Sequence, residues 1–121
     1  MIRVVIADDQ PQIRLALRHV LETEGDFEVV GEAENGEGAV EVAARTRPNV
    51  VVLDYRMPHL NGLEAARQIL ERFPDVVLIM MSGDDDPVIA SEAVEAGVTS
   101  YVSKTGRPEE LLTAMRRAAA H

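Results

Sequence analysis

Five short apolar runs punctuate the chain, and segments of helical period lie between them. IRVVIA (Ile2 to Ala7) comes first and FEVVGEA (Phe27 to Ala33) second. NVVVL (Asn49 to Leu53), VVLIMM (Val76 to Met81) and VTSYVS (Val98 to Ser103) follow. The third run is unbroken in apolar character, which predicts a central strand covered on both faces. Phe27 to Ala33 alternates with glutamates, which predicts a half-exposed edge strand. Between the runs, apolar residues recur every three or four positions, as on the buried stripe of a helix. These stripes are Ile13, Leu17, Val20 and Leu21; Val40, Ala43 and Ala44; Leu63, Ala66, Ile69 and Leu70; and Leu111, Leu112 and Met115.

Proline and glycine set the boundaries. Pro11 and Pro108 open helices, because the N–H that proline lacks has no partner in a first turn. Asp86-Pro87 reads as a cap followed by a first-turn proline, and Gly97 as a left-handed terminator. Gly25 ends the first helix, and Gly36 to Arg45 and Gly62 to Arg72 form the second and third. Strands alternating with helices through short loops imply a parallel sheet with helices on both faces. Right-handed crossovers leave few topologies. The doubly wound order 2-1-3-4-5 sets the polar second run at an edge and the apolar first, third and fourth runs inside. The expected fold is an α/β, flavodoxin-like three-layer sandwich of five parallel strands and five helices, spanning 1–121 as one domain.

Composition narrows the function. At 121 residues the chain is long enough to bury a core without staples, and it has no cysteine, which excludes disulfides and thiolate metal sites. No leader or membrane-length apolar stretch is seen, so a cytoplasmic location is expected. The net charge of −9 argues against this domain gripping nucleic acid itself. It suits divalent cations or a partner with a basic surface.

Four of the runs end on chemically capable residues: Asp8-Asp9, Asp54, Ser82 and Lys104, the last being the only lysine beside eleven arginines. In an open parallel sheet these ends share one edge, where such folds bind ligands. Order 2-1-3 brings Asp8, Asp9 and Asp54 together. Crowded carboxylates repel, and either raised pKa values or a divalent cation relieves them. An oxygen-only cluster suits Mg²⁺ or Mn²⁺. DDQ after the first strand is not a glycine-rich loop, so no backbone nest cradles a phosphate. A carboxylate flanked by metal and lysine is instead a phosphoryl acceptor, with Asp54 as nucleophile, Lys104 neutralising the transferring oxygens and Ser82 donating to one of them.

In Asp8-Asp9, Asp54 within VVLDYRMP, Gly62, Ser82-Gly83 and Tyr101 followed by Lys104, the whole chain resembles a receiver domain of two-component response regulators, the CheY-like family. DDQ, LDYRMP, NGLEAARQI and SYVSKT are most similar to its NarL/LuxR-type transcriptional regulators. The resemblance implies that Asp54 accepts phosphoryl from a sensor histidine kinase. It implies Mg²⁺ held by Asp9, Asp54 and the Arg56 carbonyl, with Asp8 assisting, and a coupled switch of Ser82 and Tyr101. It further implies control of dimerisation or of a C-terminal helix-turn-helix domain that this chain lacks. Two departures stand out: Thr105 replaces the proline that often follows the lysine, and Ser82 replaces a frequent threonine.

Rival readings remain. One is a stand-alone receiver acting through protein contact. Another is an aspartyl-phosphate phosphatase, which wants an acid where Arg56 stands. A third is a flavodoxin-like cofactor binder. Asp84 to Asp86 read as cap and solvated loop, and His19, His59 and His121 as surface or packing residues rather than ligands.

Overall fold

The computed structural model describes residues 1–83, 86–104 and 106–119. Asp84, Asp85, Thr105 and His121, on which some sequence expectations fall, lie outside the described residues. Five strands alternate with five helices: β1 (Ile2–Ala7), α1 (Pro11–Glu24), β2 (Phe27–Ala33), α2 (Gly36–Thr46), β3 (Val50–Asp54), α3 (Gly62–Arg72), β4 (Val77–Ser82), α4 (Pro87–Ala96), β5 (Ser100–Ser103) and α5 (Pro108–Ala119). The strands form one parallel sheet in the order β2-β1-β3-β4-β5, as expected.

Register explains why the strand ends meet. Ala33, Ala7, Leu53, Met80 and Tyr101 form one row across the sheet. Asp8 and Asp54 follow immediately on neighbouring strands, and Ser82 and Lys104 extend the same edge.

The sheet alternation feeds two cores. Val5, Ala7, Val51, Leu53, Leu78 and Met80 pack against Ala39, Ala43, Leu63, Ala66, Ile69 and Ala93 of α2, α3 and α4. Val4, Ile6, Val50, Val52, Ile79, Met81 and Val102 pack against Leu21 of α1 and Leu111, Leu112 and Met115 of α5. Full burial of one such large side chain contributes about 1.5–3 kcal/mol, so these two layers dominate the stability.

The helix ends follow the sequence signals. Asn35, Asn61 and Asp86 cap α2, α3 and α4 by accepting N–H groups from Gly38, Glu64 and Val88. Pro11 and Pro87 sit in first turns, and Gly25 and Gly97 adopt left-handed φ of 85° and 98°.

Some details differ from the expectations, among them the end of α2 at Thr46 and an α1 stripe in which Leu21 alone is fully buried. In α2 the buried stripe is Gly36, Ala39, Val42 and Ala43, while Val40 and Ala44 are only partly covered. Gly36 rests against the Leu60 carbonyl, closer than any side chain permits, and this turns the small-residue face inward. β5 starts at Ser100 rather than Val98, because the Val98 N–H is taken by the Ala93 carbonyl at the end of α4. β3 and β4 are each shifted one residue along the chain from the expected runs, to Val50–Asp54 and Val77–Ser82.

Candidate functional site

Asp8, Asp54 and Lys104 continue the alternation of Val4 and Ile6, of Val50 and Val52, and of Val102. They therefore emerge from the sheet on the α1/α5 side. Lys104 Nζ lies 2.7 Å from Asp8 Oδ2 and 3.0 Å from Asp54 Oδ2. The Lys104 N–H donates to the Ser82 carbonyl at 2.9 Å, which fixes the lysine backbone to the end of β4.

Asp8 is tied at every polar atom. Its N–H donates to the Ala33 carbonyl, and its Oδ1 accepts the Gln10 N–H at 2.9 Å in a local turn. Its carbonyl accepts from Arg14 Nη1 at 2.6 Å. Asp9 differs: its side chain is exposed, and it makes no hydrogen bond or ion pair among the described residues. Asp54, only 4% exposed, closes β3. The loop after it is pinned by Tyr55 N–H to the Met81 carbonyl and Gly62 N–H to the Tyr55 carbonyl, both 2.9 Å. The Arg56 N–H approaches Asp54 Oδ1 at 3.4 Å.

Electrostatics follow from this crowding. Burial pushes the Asp54 carboxyl above the ordinary carboxylate value. The Lys104 hydrogen bond opposes that shift, and the Asp8 charge adds to it. For Lys104, burial pulls downward, but hydrogen bonds to Asp8 and Asp54 outweigh it and hold the ammonium above the usual lysine value. No buried side-chain nitrogen or oxygen among the described residues lacks a partner.

Carboxylate oxygens of Asp8, Asp9 and Asp54 all lie within 4.8 Å of one another. Opposite ligands of an octahedral magnesium sit about 4.2 Å apart, twice the metal–oxygen distance. The trio needs little adjustment, and its all-oxygen donors fit a small hard cation. Asp9, Asp54, Arg56 and Lys104 also line one shallow cleft, with Gln10 and Gly83.

The remaining expected residues fall nearby. Ser82 is buried at the end of β4, paired in register with Ser103. Tyr101 is half-buried opposite Met80, on the α2–α4 side with Leu78 and Met80, the alternation to which Ser82 also belongs. His19 and His59 are exposed and apart from the cluster. Arg14 carries no mark of its contact with Asp8 in the sequence, where periodicity shows it only as a polar position on α1. Gly62 has a reason visible only in the fold: a Cβ there would overlap the Asp54 carbonyl oxygen.

The sequence model of the response regulator receiver domain matches residues 4–116. The chain belongs to the response-regulator receiver family. It is 37% identical over 118 residues to the uncharacterized transcriptional regulatory protein YxjL of Bacillus subtilis, covering 98% of this chain and 54% of that protein. A protein-glutamate methylesterase/protein-glutamine glutaminase of Hahella chejuensis is 41% identical over 107 residues, 87% of this chain and 30% of that one. The signal receiver domain of the putative response regulator NarL from Mycobacterium tuberculosis superposes with a TM-score of 0.92 at 31% identity, covering 98% and 96% of the two chains. The chain spans about half the length of the transcriptional regulators it matches. As a two-component receiver domain related to LuxR-type regulators, it is a member of a signalling-switch family. No described helix is long and apolar enough to cross a membrane.

Proposed function

We propose that Asp54 is the phosphoryl acceptor, that the donor is the phosphohistidine of a sensor histidine kinase, and that transfer requires Mg²⁺. The observation that carries this is the buried Asp54 carboxylate, 3.0 Å from the Lys104 ammonium and within 4.8 Å of both Asp8 and Asp9. In the reaction a carboxylate oxygen of Asp54 forms an O–P bond as the donor's N–P bond breaks. The electron pair leaves with the imidazole. Asp9, Asp54 and the Arg56 carbonyl are the proposed metal ligands, with Asp8 assisting from its anchored position. A bound divalent cation would neutralise charge on the transferring oxygens. Lys104 is already poised between Asp8 and Asp54 and would pair with the phosphoryl group once formed. Ser82 would donate its hydroxyl to a phosphoryl oxygen, and Tyr101 would turn inward in response.

The proposed output is control of self-association and of a C-terminal helix-turn-helix domain that regulates transcription, acting in the cytoplasm. The naming of several relatives as transcriptional regulatory proteins supports it. The charge of −9 supports DNA contact only through that further domain. The alternative is a receiver acting by protein contact alone, and the gene sequence beyond His121 separates the two. Arg56, where an acid would serve a phosphatase, supports a switch over a turnover enzyme.

Incubation with phosphoramidate and Mg²⁺ tests the reaction. One phosphoryl group per chain, prevented by a chelator, is expected. Sustained hydrolysis of small phosphoesters would contradict the proposal.

A further inference from the structure

Arg14 reaches from the first turn of α1 to the backbone of the acidic pair. Its Nη1 donates to the Asp8 carbonyl at 2.6 Å, and its Nε lies 3.3 Å from Glu32 Oε1 on β2. The other oxygen of Glu32 is gripped by Arg18, whose Nε and Nη2 stand 2.9 and 2.6 Å away. Arg18 is itself paired with Glu22 at 3.1 Å. The Arg14 side chain is only 17% exposed, so its guanidinium has little freedom.

The Asp8 carbonyl belongs to the peptide joining Asp8 to Asp9. Fixing that plane fixes the N–Cα bond from which the Asp9 side chain departs, and so restrains where its carboxylate can reach. Asp8 is anchored by Ala33, Gln10 and Lys104, but Asp9 has no such anchor of its own. Its carboxylate nevertheless lies within ligand reach of Asp8 and Asp54. α1 also begins without a side-chain cap at Gln10, so the ties across Asp9 are the Gln10 N–H bond to Asp8 Oδ1 and the Arg14 bond to the Asp8 carbonyl.

We propose that Arg14, braced by Glu32 and Arg18, is a positioning residue for the cation site: it clamps the Asp8–Asp9 peptide so that Asp9 faces Asp54. The inference rests on the proposed use of a divalent cation by this cluster. It adds a residue on α1 and one on β2 to the determinants of metal affinity. Guanidinium chemistry suits the task, because a planar fork bonds a carbonyl and a carboxylate at once and an ammonium does so less well. Arg14→Lys should therefore recover part of the function lost in Arg14→Ala.

The test is Mn²⁺ binding to the 121-residue chain, read from the free Mn²⁺ signal in electron paramagnetic resonance, with thermal melting in parallel. Loss of a partner that orients a metal ligand weakens affinity by about tenfold or more, and Arg14→Ala should do so. Arg14→Lys and Glu32→Gln should fall between it and wild type. The Mg²⁺ concentration for half-maximal phosphorylation should rise in step, while the rate at saturating Mg²⁺ stays near wild type. A folded Arg14→Ala protein with Mn²⁺ affinity within about twofold of wild type would overturn the inference, as that is far below the expected change. Should Arg14→Ala not fold, Glu32→Gln decides: unchanged affinity there overturns the inference equally. Failure of the wild-type chain to bind Mn²⁺ or Mg²⁺ would instead overturn the proposed function.

Discussion

Lys104 holds Asp8 through an ion pair of 2.7 Å, and the Asp8 carboxylate is almost wholly buried. The ammonium also reaches Asp54, so one positive charge offsets two carboxylates in a confined space. Breaking a buried pair by removing one partner usually costs 3–5 kcal/mol. The ammonium's residual exposure reduces that, and Lys104→Met should destabilise the chain by about 2 kcal/mol at neutral pH. The Lys104 pKa is raised on folding, so its contribution is fully present below the ordinary value of 10.5 and is lost as pH rises through the raised value. Urea denaturation of variant and wild type should diverge at pH 7 and converge in strong alkali.

Asp54 has the opposite influence at neutral pH. Its carboxyl is raised by burial, then by the Asp8 charge, despite the Lys104 hydrogen bond. A raised folded value means stability that is present below the ordinary value of 3.8 and lost as pH rises through the folded one. Asp54→Asn removes that loss. The variant should be more stable than wild type at pH 7, with the difference shrinking to nothing toward pH 3–4, the ordinary carboxylate range. Thermal melts across this range check both sign and window.

Gly62 is expected to resist replacement although it lies in a helix. Alanine gains about 0.5–1 kcal/mol over glycine in a helix interior, and at most that at Gly62, the first residue of α3. Here its Cβ would collide with the Asp54 carbonyl oxygen and stand 3.0 Å from Tyr55 Cα, both backbone atoms. Overpacking of this kind costs typically 1–3 kcal/mol, so the clash outweighs the propensity. Gly62→Ala should lose about 1–2 kcal/mol net by denaturant titration, and should slow phosphorylation by displacing Asp54, the proposed acceptor.

Ser82 and Tyr101 share one alternation on neighbouring strands, which makes their coupling measurable. The chain has two tyrosines and no tryptophan, so Tyr55→Phe leaves Tyr101 as the sole tyrosine reporter. Phosphorylation should change the Tyr101 fluorescence in that background. Adding Ser82→Ala should leave the phosphoryl group attachable but remove most of the fluorescence change. An equal change in both proteins would show that Tyr101 responds without Ser82.

Most of this arrangement was legible in the residues. The continuous run at Val50 to Leu53, the alternating edge at Phe27 to Ala33 and the capping signals at Asp86-Pro87 and Gly97 fix an order of strands. That order carries Asp8, Asp54, Ser82 and Lys104 to one edge. The rotation of α2 was not legible, because it depends on Gly36 meeting the carbonyl of Leu60, a contact across 24 positions that no local periodicity encodes. The start of β5 shifted because helix α4 claims the Val98 N–H. Arg14 was hidden for a related reason: its partners, the Asp8 carbonyl and Glu32, meet only when α1 packs beside β2. Backbone acceptors leave no mark in a sequence.

Intact-mass measurement of wild type and Asp54→Asn after incubation with acetyl phosphate and Mg²⁺ tests the central claim most directly. Wild type should gain one acid-stable, base-labile phosphoryl group, and Asp54→Asn should gain none. Equal labelling of the two proteins, or a label mapped to any residue other than Asp54, would contradict the account.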